Sequence, residues 1–105
     1  MAARIADNSL TISTAASGDT TLIAAGGAGR ITRVHGLRLS VAGAVIVSIK
    51  RGSTVLEVFN FAAAGVMPPL VLREQPYYLT AADEALVINL SGAVQVNGML
   101  EWSQA

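Results

Sequence analysis

The chain contains no cysteine, and this excludes disulfides, thiol nucleophiles and cysteine-based zinc sites together. Aromatic residues make up 5% of the chain and charged residues 13%, and seven basic residues balance seven acidic ones. The sequence contains no block of like charge, so nothing in it indicates a nucleic-acid partner. No apolar run approaches the roughly 18 residues that a membrane-spanning helix needs. We therefore expect neither a nucleic-acid nor a membrane partner.

The chain is rich in apolar residues. Hydrophobic residues make up 52% of it, and the mean hydropathy is +0.54, both high for a small domain. A length of 105 residues predicts a single domain with one core of its own. Because a surface of net charge near zero resists association poorly, we expect part of the apolar surface to face a second copy of the chain.

Alternation of apolar and polar residues is clearest in the C-terminal third. Leu86, Ile88 and Leu90 share one face of an extended segment, and a second alternating segment ends at Trp102. A Ser-Gly pair separates the two segments. This pattern predicts a β-hairpin over residues 85–102, with Trp102 closing the core.

Similar short segments recur at a spacing of near ten residues, which predicts an all-β fold. Residues 62–69 are expected to form a loop because adjacent prolines cannot donate to a strand ladder. Gly43 and Gly52-Ser53 are expected to form hairpin turns. A change of phase near Gly36 predicts a β-bulge that keeps Val34 and Leu37 on one face. The remaining strand candidates are residues 10–13, 20–25, 30–42, 44–51, 54–61, 71–72 and 77–80.

These segments together predict a single antiparallel β-sandwich or jelly roll of about eight short strands. The domain is expected to span residues 9–105, after an N-terminal arm at residues 1–8 that lacks any period. The arm also lacks the charged and apolar regions of a signal peptide, so we expect synthesis in the cytoplasm.

Residue types that carry catalysis are scarce. His35 is the single histidine, which excludes a pair of histidine metal ligands within one chain, and no serine lies in a nucleophile-elbow context. We therefore expect no enzymatic activity, no metal or other cofactor and no small-molecule substrate.

The candidate functional residues are instead those suited to subunit contacts. Three arginines and the histidine lie on one predicted strand, where arginine side chains can pair with carboxylates or carbonyl groups of a neighbour. Two tyrosines are candidate interface anchors. The arm is a candidate for adding a strand to a neighbouring subunit. The candidate interface residues are Arg4, Ile5, Arg30, Arg33, His35, Arg38, Tyr77 and Tyr78.

The order of elements and the ending Leu86-x-Ile-x-Leu-Ser with Val96-x-Gly98-x-Leu-x-Trp102 resemble small virion proteins of tailed bacteriophages. Over residues 20–102 the chain resembles the compact β-sandwich or jelly-roll proteins that decorate or cement capsids. The resemblance implies a homo-oligomer, commonly a trimer, that binds the major capsid protein and stabilises the shell. It implies location on the capsid surface and no catalytic residues.

Two other functions stay open from the sequence. The chain is also compatible with a tail, baseplate or head-fibre subunit that contacts the host. The third hypothesis is a free carbohydrate-binding β-sandwich in which Tyr77, Tyr78 or Trp102 stacks on a sugar.

Overall fold

The computed structural model describes residues 8–27, 29–71 and 73–104. Over these ranges it contains nine strands and no helix, which confirms the predicted all-β class, and accordingly no helix there could cross a membrane. The predicted arm lies outside the described residues except for Asn8, which begins the first strand. The strands are β1 (Asn8–Thr14), β2 (Gly18–Ile23), β3 (Thr32–Val41), β4 (Val45–Arg51), β5 (Thr54–Phe61), β6 (Gly65–Val66), β7 (Tyr78–Leu79), β8 (Leu86–Leu90) and β9 (Val96–Gln104).

The strands pair as a long antiparallel ribbon that is rolled into two sheets. Strand β1 pairs with β9, β2 with β8, β3 with β6 and β7, and β4 with β5. Rolling brings β9 beside β3 and β8 beside β4 as well. The first sheet has the order β1-β9-β3-β6, with β7 also on β3, and the second has the order β2-β8-β4-β5. This is jelly-roll topology, within the predicted fold class.

The core lies between the two sheets. Alternate residues of each long strand point inward, and the inward side chains are nearly all aliphatic. Trp102 and Tyr78 pack against this core from one end. The buried core residues are Ile12, Ile23, Val34, Leu37, Leu39, Val41, Val45, Val47, Ile49, Met67, Leu86, Ile88, Leu90, Val96 and Leu100.

One edge of the first sheet is an interrupted strand. Residues 65–71 and 73–80, here called segment 65–80, run antiparallel to β3. In this segment β6 pairs with Ser40 and Val41, and β7 pairs with Arg33 and Val34. Between β6 and β7, Leu70 exchanges two backbone hydrogen bonds of 2.9 Å with Leu37. The three prolines of this segment have no N–H to donate, so the pairing is broken into short pieces. The predicted loop at 62–69 therefore contains the two-residue strand β6. Val71 of the predicted strand 71–72 belongs to no strand, and Leu72 lies outside the described residues.

The predicted β-bulge is confirmed. The register of β3 against β9 shifts between Val34, opposite Trp102, and Gly36, opposite Glu101. The extra residue keeps Val34 and Leu37 on the same buried face, each 1% exposed. Gly36 leaves room for its neighbour, because a Cβ there would overlap a carboxylate oxygen of Glu101.

The predicted C-terminal hairpin is wrong, although both of its strands exist. Strand β8 pairs with β2 and β4 in the second sheet, whereas β9 pairs with β1 and β3 in the first. Residues 91–95 therefore cross from one sheet to the other. The turn at Gly43 is wrong for the same reason, since β3 and β4 lie in different sheets. The predicted turn at Gly52-Ser53 is confirmed, with Arg51 opposite Thr54 and Gly52 at a φ of 54°.

Candidate interaction surface

His35, a predicted interface residue, lies inside the subunit. His35 is 1% exposed. The ring Nδ1 lies 3.0 Å from the carbonyl oxygen of Arg73, and Nε2 lies 2.8 Å from Oγ of Ser103. Since a carbonyl only accepts, Nδ1 carries a proton and donates to Arg73, and Nε2 forms the second hydrogen bond with the Ser103 hydroxyl. The side chain fastens segment 65–80 over the bulge and offers no surface for a contact.

The three arginines of the predicted group do not form one basic surface. Arg30 precedes β3, while Arg33 and Arg38 lie on the outer side of β3, on opposite sides of the bulge. Nη2 of Arg38 lies 3.5 Å from a carboxylate oxygen of Glu101 and 3.1 Å from Sδ of Met99. The charge of Arg38 is therefore matched within its own chain. Arg4 and Ile5 lie outside the described residues.

Both tyrosines have partners within the chain. The hydroxyl of Tyr77 donates to the carbonyl of Val71 at 2.8 Å, and the guanidinium of Arg73 lies 3.7 Å from the centre of the Tyr77 ring. The hydroxyl of Tyr78 donates to Oε1 of Glu57 at 3.3 Å and so links β7 to β5 across the sandwich. Burial and then the Glu57 carboxylate raise the pKa of Tyr78 to about 12.

The apolar side chains that reach solvent are concentrated on one side of the sandwich. We call this the β5 side: the edge strand β5 of the second sheet together with segment 65–80 of the first. Among the described residues, every large apolar side chain that is exposed lies there or on the adjoining strand β4. They are Ile46 at 41%, Val55 and Val58 at 51%, Val66 at 73%, Val71 at 67% and Leu79 at 46%. Single exposed apolar residues are ordinary, but such a grouping is typical of an interaction surface.

The opposite half of the second sheet is polar and internally paired. Nζ of Lys50 lies 3.1 Å from both carboxylate oxygens of Asp19, and Nδ2 of Asn89 donates to Oδ1 of Asp19 at 2.7 Å. The Asn89 hydrogen bond and then Lys50 lower the pKa of Asp19 below its ordinary 3.8. Strand β5 of the same sheet, by contrast, exposes Val55 and Val58.

Cavities are small and shallow. A groove of about 280 Å³ on the outer face of the first sheet is lined by Arg38, Pro69, Leu70, Val71 and Glu101. A cleft of about 170 Å³ opens between β1 and β2. Both fall below the roughly 300–1,000 Å³ of typical small-molecule sites. The described ranges also hold no group of three His, Asp or Glu residues placed to bind a metal.

Sequence reasoning missed the β5 side. The tyrosines and arginines were selected because those residue types are frequent at interfaces, but Arg38, Tyr77 and Tyr78 have partners within the chain. The informative pattern was Val55 and Val58 in a segment with a single charge, Glu57. The bulge at Leu56 places both valines on the outer face, and exposed valines on an edge strand without lysine or proline are uncommon.

Comparison with known proteins found no match: no protein-family model, no curated protein and no solved structure matches this chain.

Proposed function

We propose that the chain is a structural virion subunit that decorates and stabilises a bacteriophage capsid as a homotrimer. The observation that supports an assembly role is the grouping of exposed apolar side chains on the β5 side. The capsid as the place of assembly, the major capsid protein as partner and the three-fold symmetry rest on the resemblance of residues 20–102 to decoration proteins.

The exposed apolar side chains of the β5 side are available for a contact between subunits. The core is filled by aliphatic side chains from both sheets, so the exposed valines are not needed to complete it. Exposed apolar side chains gain about 25 cal/mol for each Å² removed from water. A stable contact between subunits buries about 1,200–2,000 Å² in total, and the β5 side supplies its apolar centre.

The test of assembly is the mass of the protein in solution. We expect native mass spectrometry to give three copies or a multiple of three. Replacing Val66 and Val71 together by lysine places charge on the most exposed apolar residues and is expected to lower the oligomer population. The matched control replaces Thr11 and Ser13, exposed on β1, by lysine and is expected to keep it. A monomer at all concentrations of the unchanged chain would refute the proposal.

The test of location is electron microscopy of virions carrying a gold-labelled antibody against the chain. Label distributed over the capsid supports decoration. Label confined to the tail or the head fibre would replace decoration by the second hypothesis, and virions without label would refute both.

A carbohydrate-binding function has less support. Tyr78 and Trp102 pack against the core, and the Tyr77 ring is covered by Arg73. Each of the three predicted aromatics therefore packs or pairs within the chain, which leaves less ring surface for a sugar. We expect no binding on a glycan array.

A further inference from the structure

Strand β5 is the open edge of the second sheet. Among the described residues it pairs with β4 alone, from Thr54 to Phe61, with a bulge at Leu56 where the register shifts. Natural edge strands are usually protected from pairing by lysine, proline, short length, bulges or inward-pointing charges. Strand β5 contains neither lysine nor proline. Its bulge lies at Leu56, its one charge, Glu57, accepts from Tyr78, and residues 57–61 leave a regular edge.

The direction of the free backbone groups on β5 follows from its neighbour. The carbonyl of Ile46 accepts from N–H of Ser91 at 3.0 Å, and the N–H of Ile46 donates to Oγ of Ser91 at 2.8 Å, both on the β8 side. Because both groups of one residue point the same way in an antiparallel ladder and the direction alternates, Ser48 also points to β8. Val58 lies opposite Ser48, so its N–H and C=O point away from β4, towards the open edge.

We propose that β5 pairs antiparallel with β5 of a second copy of this chain, about a two-fold axis at Val58. The contact joins the two second sheets into one continuous sheet of eight strands. The outward groups of Val58 then bond to those of its twin, and Asn60 lies opposite residue 56 of the other copy.

The strand that pairs with the open edge is β5 of a second copy, because this register is self-complementary. Val58, 51% exposed, meets Val58 of the twin on the outer face, flanked by the exposed Ile46 of each copy. On the other face Glu57 lies opposite Phe59. No like charges are opposed, since Glu57 is the one ionisable residue of the strand and faces an aromatic ring. The outward N–H and C=O of Val58 meet those of its twin within the regular part of β5, residues 57–61.

This contact uses strand β5, whereas the three-fold contact is proposed to use segment 65–80, with the exposed Val66 and Val71. An isologous two-fold contact alone makes a dimer, and the two kinds of contact together make a closed hexamer of D3 symmetry. The β5 pairing can therefore be present or absent whether or not the chain decorates a capsid.

A cysteine introduced at Val58 tests the register directly, because the natural chain contains none. Paired residues at the axis have Cα atoms about 5.5 Å apart, within the range that a disulfide spans. In the Val58→Cys variant we expect mild oxidation to yield a covalent dimer. The matched control is Asn60→Cys, also exposed on β5, whose twin lies four residues away along the strand, about 13 Å. We expect roughly ten-fold less dimer from the control.

The outcomes separate this inference from the proposed function. Dimer from Val58→Cys with little from Asn60→Cys supports the pairing, whereas equal yields or no dimer from either overturn it. A second variant, Val58→Lys, is expected to halve the mass seen by native mass spectrometry while the circular dichroism spectrum stays unchanged. An unchanged mass would also overturn the pairing. If the chain forms a trimer but does not cross-link, only the β5 pairing is refuted and the decoration proposal stands. If it cross-links as a dimer and no mass corresponds to a multiple of three copies, only the trimer is refuted.

Discussion

Replacing Gly98 by alanine is expected to destabilise the fold more than any other single methyl addition at a strand glycine with negative φ. Gly98 lies in β9, between Ile12 of β1 and Leu39 of β3. A Cβ at this position would overlap the carbonyl oxygen of Arg38, with the carbonyl carbon at 2.9 Å and Cα of Leu39 at 3.1 Å. All three are backbone atoms, so no side chain can rotate away, and β3 and β9 must move apart.

The magnitude follows from two costs and one gain. Overpacking in a filled core costs about 1–3 kcal/mol, and weakening one strand-to-strand hydrogen bond adds about 1 kcal/mol. The smaller entropy of an alanine-containing unfolded chain returns about 0.4–1 kcal/mol. We expect a net loss of about 1–3.5 kcal/mol of unfolding free energy. For a chain of this size this lowers Tm by roughly 5–25 °C.

The assay is thermal denaturation followed by circular dichroism, with Gly92→Ala as the matched control. Gly92 has no atom within 4 Å of a built Cβ and no positive φ. Its replacement is expected to change Tm by less than about 3 °C. If Gly98→Ala melted as close to the unchanged protein as the control does, the close approach of β3 and β9 at this position would be refuted.

Three further predictions concern polar groups. His35→Ala opens a cavity and leaves two hydrogen-bond partners unsatisfied, so urea denaturation should show a loss of about 2–4 kcal/mol; Ser103→Ala should lose about 1 kcal/mol, and equal losses would contradict the two-bond arrangement. Asp19 has a lowered pKa, so its stabilising contribution is present above pH 3.8 and is lost as pH falls through the lowered pKa; Asp19→Asn should flatten the acid limb of the Tm profile, and an unchanged limb would contradict the pairing. Tyr78 has its pKa raised from 10.0 to about 12, so its contribution to stability is present below pH 10 and is lost as pH rises through 12. Absorbance at alkaline pH should show this titration. If the same titration persisted in Tyr78→Phe, it would belong to another group.

The positions of the strands were predictable because alternation is a local property. Val45, Val47 and Ile49 follow one another at every second position, and one buried face requires this period wherever the strand lies in the sheet. The bulge before Leu37 was predictable for the same reason, since one inserted residue changes the parity of a strand without ending it.

The partners of the strands were not predictable. The inward faces of β8 and β9 line the same core from opposite sheets, so their alternation looks the same as that of a hairpin. A Gly-containing connection of a few residues suits either a tight turn or a crossing between sheets. Only the pairing of β8 with β4 and of β9 with β3, over residues far apart in sequence, decides between them.

The candidate surface was predictable in kind but not in place. An apolar, nearly neutral chain indicated association, whereas the residues selected for it, such as His35 and Tyr77, found partners within the subunit. Whether a polar side chain is free for a neighbour depends on what lies beside it in space. Segment 65–80 covers His35, and its position over β3 is a tertiary result, whereas Tyr77 contacts Val71 and Arg73 of its own segment.

The sequence by itself determined an all-β domain without disulfides, the positions of its long strands and the bulge in β3. It did so because side-chain alternation and turn residues act over a few residues. The tertiary structure decided the jelly-roll order, the burial of His35 and the open edge at β5. These features depend on contacts between segments far apart in sequence. The apolar face of one strand can be buried against several other strands, and only the complete fold decides which.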